Sequence, residues 1–258
     1  MNKHSRIRKI ARLIRACSTQ FADPFQVASG LRELPHFIQS AYRYSRLTGA
    51  EPIRALDLLP QLHDRTEFTR FDAHYFYMGA WATRRIIERK PKTHVDIGGH
   101  VFFISTLTAV TPVVFVDYRP LRANLSGFVG VAGDIRSLPF ADDSLDSLSC
   151  LHVAEHIGLG RYGDPLDARG THKAMRELGR VLAPGGNLLF ALPIGRERLC
   201  FNAHRVHAPA TITEGFSGFD LVEFSGVHDD GTYVERASLQ DFRGDEYGCG
   251  LYWFRKPR

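Results

Sequence analysis

From residue 91 onwards, short apolar runs alternate with segments whose apolar residues recur every three or four positions. The short runs suit buried strands and the longer segments suit helices. THVDIGG at 93–99 opens the series, with a strand expected over 94–98 and a helix over 101–109. Pro112 restarts the chain, and strands follow at 113–116, 128–131 and 145–153. The run at 145–153 is mostly apolar, as a strand covered on both faces should be. Met175, Leu178, Val181 and Leu182 share one face of a helix over 172–182, which APGG at 183–186 should stop. A fifth strand is expected at 187–192, a helix or turn at 208–218, and strands at 221–227 and 248–255. Strands alternating with helices predict an α/β fold with a doubly wound, mostly parallel seven-stranded sheet.

The first third of the chain has a different pattern. Residues 66–90 have the period of one long helix, with Phe68, Phe71, Tyr75, Phe76, Tyr77 and Trp81 in its first half. Aromatics at that spacing read as core, packed on the edge of the sheet, although Asp72, His74 and Tyr75 are also placed to face a pocket. Residues 21–65 read as short helices and turns broken at Pro24, Pro35, Pro52 and Pro60. Residues 1–20 read as a basic amphipathic helix, with Ile7, Ile10, Leu13 and Ile14 on one face. Two regions are therefore expected, a helical extension over 1–65 and an α/β domain over 66–258.

Charge sharpens this division. The 258 residues carry a formal net charge of +5. Lys3, Arg6, Arg8, Lys9, Arg12 and Arg15 supply +6 with no acid among the first 20 residues, so the remainder sums to −1. The basic character belongs to the N-terminal segment, and no nucleic-acid role is expected. That segment suits an anionic membrane surface or an acidic partner, or is simply a solvated helix. Cys17, Cys150, Cys200 and Cys249 are scattered with no C-x-x-C pair, which fits a reducing cytoplasm and no disulfide framework. No apolar run is long enough to cross a membrane. A cytoplasmic protein, with or without peripheral contact at the inner membrane face, is expected.

The chemistry concentrates after the strands. Asp117 closes the second strand 21 positions beyond Asp96. Strand, glycine turn, helix, strand and acid form the layout of a nucleotide-binding crossover, with the acid placed for ribose hydroxyls. HVAEH at 152–156 matches the H-x-x-E-H zinc-protease pattern, but that pattern needs a helix and here it ends a strand. His152, His156, His204 and His207 are a second, less familiar metal set, and no metal is assigned. Two polar loops, 158–170 and 195–209, follow the fourth and fifth strands and should converge at the sheet's carboxyl end. They offer Arg161, Tyr162, Asp164, Arg196, Asn202 and Arg205 for a substrate, and the arginines suit an anionic one.

VDIGG, VFVDY, GDIRSLPFADDSLDSLSCLHVAEHI and LGRVLAPGGNLLFALP resemble, in order and spacing, the class I S-adenosylmethionine-dependent methyltransferases. The match covers residues 93–195, about 40% of the chain. HYFYMGAW, GRYGDPLD, FNAHRVHAP and YGCGLYWF resemble a narrower bacterial group, with a methyltransferase-like domain of unassigned function often found near surface-glycan genes. The resemblance implies a Rossmann-like sheet with a late antiparallel strand, and methyl transfer to a small-molecule or glycan-related acceptor. It implies cofactor contacts from Asp96, Gly98, Gly99, Asp117, Asp134, Ile135 and His152. Asp96 would organise the turn and the cofactor's amino group, Asp117 would hold the ribose, and Asp134 with the backbone at Ile135 would hold adenine. A hydroxyl acceptor needs a general base, and His156 and then His204 are the candidates. One departure stands out: His100 occupies the position of the family's second turn glycine. Either the loop is routed through Gly99 or the cofactor is crowded. Two other readings remain, a non-catalytic scaffold on the same fold and an NAD(P)-dependent oxidoreductase, although G-x-G-x-x-G is absent after the first strand.

Overall fold

The computed structural model describes residues 23–258, so the basic segment at 1–20 lies outside the described residues. The chain divides into two compact units that meet in sequence between Arg70 and Phe71.

In the first unit, helix α1 (Pro24–Ser45) is a single 22-residue helix. Asp23 caps it, its carboxylate accepting from the Phe25 amide at 2.9 Å. Pro24 sits in the first turn, where no N–H is needed. Pro35 lies inside the helix. The expected breaks at Pro24 and Pro35 are therefore corrected: one proline starts the helix, and the other removes one hydrogen bond that the turns on either side bridge.

The second unit is the α/β domain. Helix α2 (Ala73–Arg89) starts later than the aromatic pattern suggests, because Asp72 accepts from the Tyr75 amide at 3.2 Å and fixes the first turn there. Phe68 and Phe71 precede the helix. Next come β1 (His94–Ile97), α3 (Val101–Leu107), β2 (Val113–Asp117), β3 (Phe128–Ala132) and β4 (Leu145–Leu151). These are followed by α4 (Gly170–Val181), β5 (Leu182–Ile194), the short pair β6 (Arg198–Cys200) and β7 (His204–Val206), and α5 (Pro209–Gly215). β8 (Asp220–Val227), β9 (Tyr233–Val234) and β10 (Gly248–Arg255) complete the domain.

The main sheet runs β3-β2-β1-β4-β5-β10-β8-β9. β1 to β5 are mutually parallel, and β10 inserts antiparallel between β5 and β8. The Rossmann-like sheet with a late antiparallel strand is thus present, widened by the two-residue β9. Alternation along β5 sends Leu188, Phe190 and Leu192 to one face and Leu189 and Ala191 to the other. The first face packs under α4 and α5 with Met175, Leu178, Ile212 and Phe216. The second packs under α2 and α3 with Met78, Trp81, Ile86, Ile104 and Leu107, joined by Cys249, Leu251 and Trp253 of β10. Helix α2 thus lies across a sheet face rather than at its edge. A buried polar knot holds it there: Trp81 Nε1 donates to Glu223 at 2.8 Å, and Arg85 donates to the same carboxylate at 2.7 and 3.1 Å. Among the described residues no helix is long and apolar enough to cross a membrane.

Candidate functional site

The carboxyl ends of β1, β2 and β4 open onto a cavity of about 990 Å³. Its walls include Asp72, His74 and Tyr75 from the start of α2, Gly98, Gly99 and His100 after β1, and Asp117, Arg119 and Arg122 after β2. His152, Glu155, His156, Arg161, Tyr162, His204 and Tyr247 complete the polar lining. A narrower slot of about 90 Å³ adjoins it, bounded by Gly98, Asp117, Tyr118, Asp134, Ile135 and Val153. Gly98, Asp117, Arg119, His152, His156 and Tyr162 line both spaces.

The glycine turn is shaped by two different constraints. Gly98 has φ +63, a left-handed conformation that favours glycine, and a Cβ there would lie 3.1 Å from Val153. A Cβ on Gly99 would fall 2.5 Å from Asp96 Oδ1. Asp96 itself is sealed beneath the turn: Oδ1 accepts from the Gly99 amide at 2.8 Å, Oδ2 accepts from the Ser149 hydroxyl, and neither cavity touches it. Burial pushes its pKa up to about 7 against the pull of those two hydrogen bonds. Both carboxylate oxygens are thus engaged within the protein, one by the turn and one by β4. His94 Nε2 bonds Ser149 Oγ at 2.8 Å, and burial lowers that imidazole to about 3.

His100 does not fill the turn. It is the exposed N-cap of α3 at φ −67, with its ring against Tyr75 and Phe102 at 5.2 and 5.5 Å. The backbone makes its tight approach at Gly99 instead.

Asp117 ends β2 with Oδ1 accepting from the Arg119 amide at 2.6 Å. Its Oδ2 has no protein partner among the described residues and faces the space beside Gly98. Asp134 carries a partner that the sequence did not suggest. Arg136 donates to it from its amide at 2.8 Å and from its guanidinium at 2.6 to 3.2 Å, which lowers the carboxyl's pKa. Ile135 is buried in the slot wall.

HVAEH is not on an α-helix. His152 has φ +57 at the end of β4, and Ala154–His156 form a single 3-10 turn. The helical zinc-protease arrangement is thereby excluded. His152 Nδ1 bonds Glu155 Oε1 at 3.0 Å and its Nε2 bonds Cys249 Sγ at 3.2 Å. Burial disfavours a charge on His152, but Cys249 and Glu155 outweigh it and shift the pKa upward. Burial and the neighbouring His152 push His74 down to about 4. His156 Nδ1 donates to the Ala203 carbonyl at 2.6 Å, leaving Nε2 as acceptor 3.6 Å from Glu155. His204 lies tilted against Tyr247 at 5.0 Å, and burial lowers its pKa. His207 lies elsewhere, against His172, so the four-histidine set does not assemble.

The two loops divide. Arg161 donates to the Ala203 carbonyl at 3.1 Å, and Tyr162 lies under Arg119 at 4.3 Å, both on the cavity wall. Asp164 lines the slot but shapes its own loop, accepting from the Gly158 and Tyr162 amides at 2.7 and 3.3 Å. Residues 195–209 are not structureless, since β6 and β7 form a hairpin within them. Of that segment only His204 reaches the cavity. Arg196 pairs with Glu246 at 2.9 Å, Asn202 sits exposed in the hairpin turn, and Arg205 binds the Ile157 and Asp167 carbonyls at 2.7 and 3.1 Å. These three, expected as substrate contacts, line neither space. Arg119, Arg122, Glu155 and Tyr247 are cavity residues that sequence reasoning missed. Arg119 had a signal, two residues after Asp117, and Glu155 lay within the HVAEH match.

The model of a family described as "Caenorhabditis protein of unknown function, DUF268" matches residues 136–246. No curated protein matches the sequence. Solved structures do. The N-methyltransferase NodS of Bradyrhizobium japonicum, in complex with S-adenosylhomocysteine, is 19% identical over 85% of this chain and 98% of its own, with a TM-score of 0.50. The [4+2]-cyclase SpnF is 15% identical over 70% of this chain and 81% of its own, also at 0.50. The phospholethanolamine N-methyltransferase 2 of Haemonchus contortus, in complex with phosphomonomethylethanolamine and S-adenosylhomocysteine, is 15% identical over 76% and 60%, again at 0.50. These likenesses establish the fold.

Proposed function

We propose that this chain is an S-adenosylmethionine-dependent methyltransferase acting on a small-molecule or glycan-related acceptor. The observation that carries the reading is a narrow slot and a wide cavity joined over the Gly98 turn, with an open oxygen of Asp117 on their common wall. The slot suits a flat adenosyl group, and the cavity leaves room for a second reactant. Two of the fold neighbours are N-methyltransferases in complex with S-adenosylhomocysteine. SpnF shares the fold as a cyclase, so the reading rests on the site. The sheet order also speaks against an oxidoreductase. The dinucleotide fold orders its strands 3-2-1-4-5-6 in a mostly parallel sheet, whereas here an antiparallel β10 separates β5 from β8. His100 lines the wide cavity and not the slot, so it does not narrow the space assigned to the adenosyl group.

In this reading Asp117 accepts from both ribose hydroxyls, Ile135 and Asp134 border the adenine, and Gly98 admits the methionine portion. The cofactor, when bound, supplies an electrophilic methyl group on a sulfonium. The chain positions the acceptor, which contributes most of the rate in such an in-line displacement. Arg119, Arg122 and Arg161 suit an anionic acceptor. His156 Nε2 takes the proton of an acceptor hydroxyl, with the Glu155 carboxylate 3.6 Å away.

The test is transfer of isotope-labelled methyl to a panel of phosphorylated and carboxylated sugars and small metabolites. Label should enter one acceptor class, and His156→Asn should lower kcat roughly 100-fold with cofactor affinity unchanged. A protein that binds the cofactor yet labels nothing would instead be the non-catalytic scaffold.

A further inference from the structure

Three donor groups meet beside the wide cavity, His74 and His152 on its wall and Cys249 buried behind them, and of the three only His152 was assigned by the resemblance, to the cofactor. Donor atoms of His74, His152 and Cys249 all lie within 4.8 Å of one another. We propose that these three residues bind a divalent transition metal, zinc by donor type, with a fourth position open to the cavity.

Geometry is the first support. Tetrahedral zinc with nitrogen at about 2.0–2.1 Å and sulfur at about 2.3 Å places its donors roughly 3.4–3.6 Å apart. His152 Nε2 and Cys249 Sγ are already 3.2 Å apart. His74 has to close by no more than about 1.4 Å, a side-chain adjustment on this scale. Its ring is held between His152 at 5.6 Å and Tyr247 at 5.3 Å, nearly parallel to both. His152 takes up the left-handed conformation uncommon for a residue with a side chain, a form of strain that concentrates at functional sites.

Glu155 is the second and independent support. Its Oε1 bonds Nδ1 of His152 and leaves Nε2 facing Cys249, the carboxylate–histidine–metal arrangement that fixes the ring of a ligating histidine. Its Oε2 is buried with no hydrogen-bond partner among the described residues, although Glu155 borders the cavity. A buried acceptor oxygen of this kind needs a donor, and water on the metal's fourth position provides one. One thiolate with two imidazoles uses donor types that zinc takes, three protein ligands leave a tetrahedral ion one open position, and copper is the competing metal for this set. The three ligands come from α2, the end of β4 and β10, so a scan for closely spaced cysteines and histidines does not find them. The cation would hold an oxygen- or sulfur-bearing group of whatever occupies the cavity. The site stands on its donors and does not depend on the adenosyl reading.

Cobalt(II) titrated into chelator-stripped full-length protein tests the site, followed by competition with zinc. One equivalent should bind with thiolate-to-cobalt charge-transfer absorption and four-coordinate ligand-field bands, and zinc should displace it. Cys249→Ser should abolish the charge-transfer band. His74→Ala, on the cavity wall and outside the close-packed core, should raise the zinc Kd at least 100-fold while the metal-free protein keeps its circular dichroism. Glu155→Gln should raise it by about 10–100-fold. Absence of the charge-transfer band in the wild type, its survival in Cys249→Ser, or unchanged zinc affinity in a folded His74→Ala protein would each overturn the proposal and leave a Cys–His hydrogen-bonded pair.

Discussion

Gly99 and Asp96 compete for the same few ångströms under the turn. A methyl group on residue 99 would sit 2.5 Å from a carboxylate oxygen that is itself fully buried. Gly99→Ala should cost about 2–3 kcal/mol and lower Tm by roughly 5–10 °C for a domain of this size, as thermal unfolding would record. Asp96 also ties stability to pH. Its carboxyl keeps a proton up to about 7 in the folded protein but releases it near 3.8 when unfolded. Stability therefore falls as pH rises between those values and is level above them. His94 runs the other way, from 6.5 unfolded to about 3 folded, so its contribution is full above 6.5 and is lost as pH falls. Asp96→Asn removes the first slope and keeps the second. Its stability relative to wild type should climb between about pH 4 and 7, by up to about 4 kcal/mol, in urea unfolding at stepped pH. Parallel curves would contradict this account of the buried pair. At this scale the sequence was most legible where chemistry follows a strand end. Asp117 and Gly98 could be placed from spacing alone. Arg205 could not, because its guanidinium is bound to carbonyls of residues 48 and 38 positions away, Ile157 and Asp167, which only the folded chain brings near.

At the scale of elements, α2 sets the cavity's outer wall through Asp72, His74 and Tyr75. Its placement depends on Glu223 of β8, which takes hydrogen bonds from both Trp81 and Arg85 while almost wholly buried. Removing Glu223 leaves the buried Arg85 with only the part-exposed Glu235, 2.8 Å away, as its counter-charge. Glu223→Ala should destabilise the protein by about 3–5 kcal/mol, lowering Tm by roughly 10 °C. A shift under 2 °C would mean the pair is solvated. The aromatic pattern made α2 visible, but its start was obscured, since Phe68 and Phe71 continue the pattern past the capping Asp72. The opposite occurred in α1, where prolines suggested breaks that a 22-residue helix absorbs. Local preference was overruled by the hydrogen bonds on either side. The 195–209 segment looked like open loop because hairpin strands of three residues are too short to show a period.

Across the molecule, the parallel half of the sheet could be read directly, because each strand is short, apolar and followed by a turn. The insertion of β10 between β5 and β8 was not readable from periodicity, since pairing order leaves no local trace. That insertion carries Cys249 to the face covered by α2 and hence to His74, which explains why the histidine–cysteine cluster was invisible in the sequence. The same topology, joined to the glycine turn and the acid of β2, supports an adenosyl ligand over a dinucleotide. Isothermal calorimetry of the full-length protein with S-adenosylmethionine, with NAD as control, tests that central claim most directly. Saturable one-site binding of S-adenosylmethionine, weakened about 100-fold in Asp117→Ala by loss of two hydrogen bonds to a charged group, and no binding of NAD is the expected result. Binding of NAD, of neither compound, or of S-adenosylmethionine with equal affinity in Asp117→Ala would contradict it.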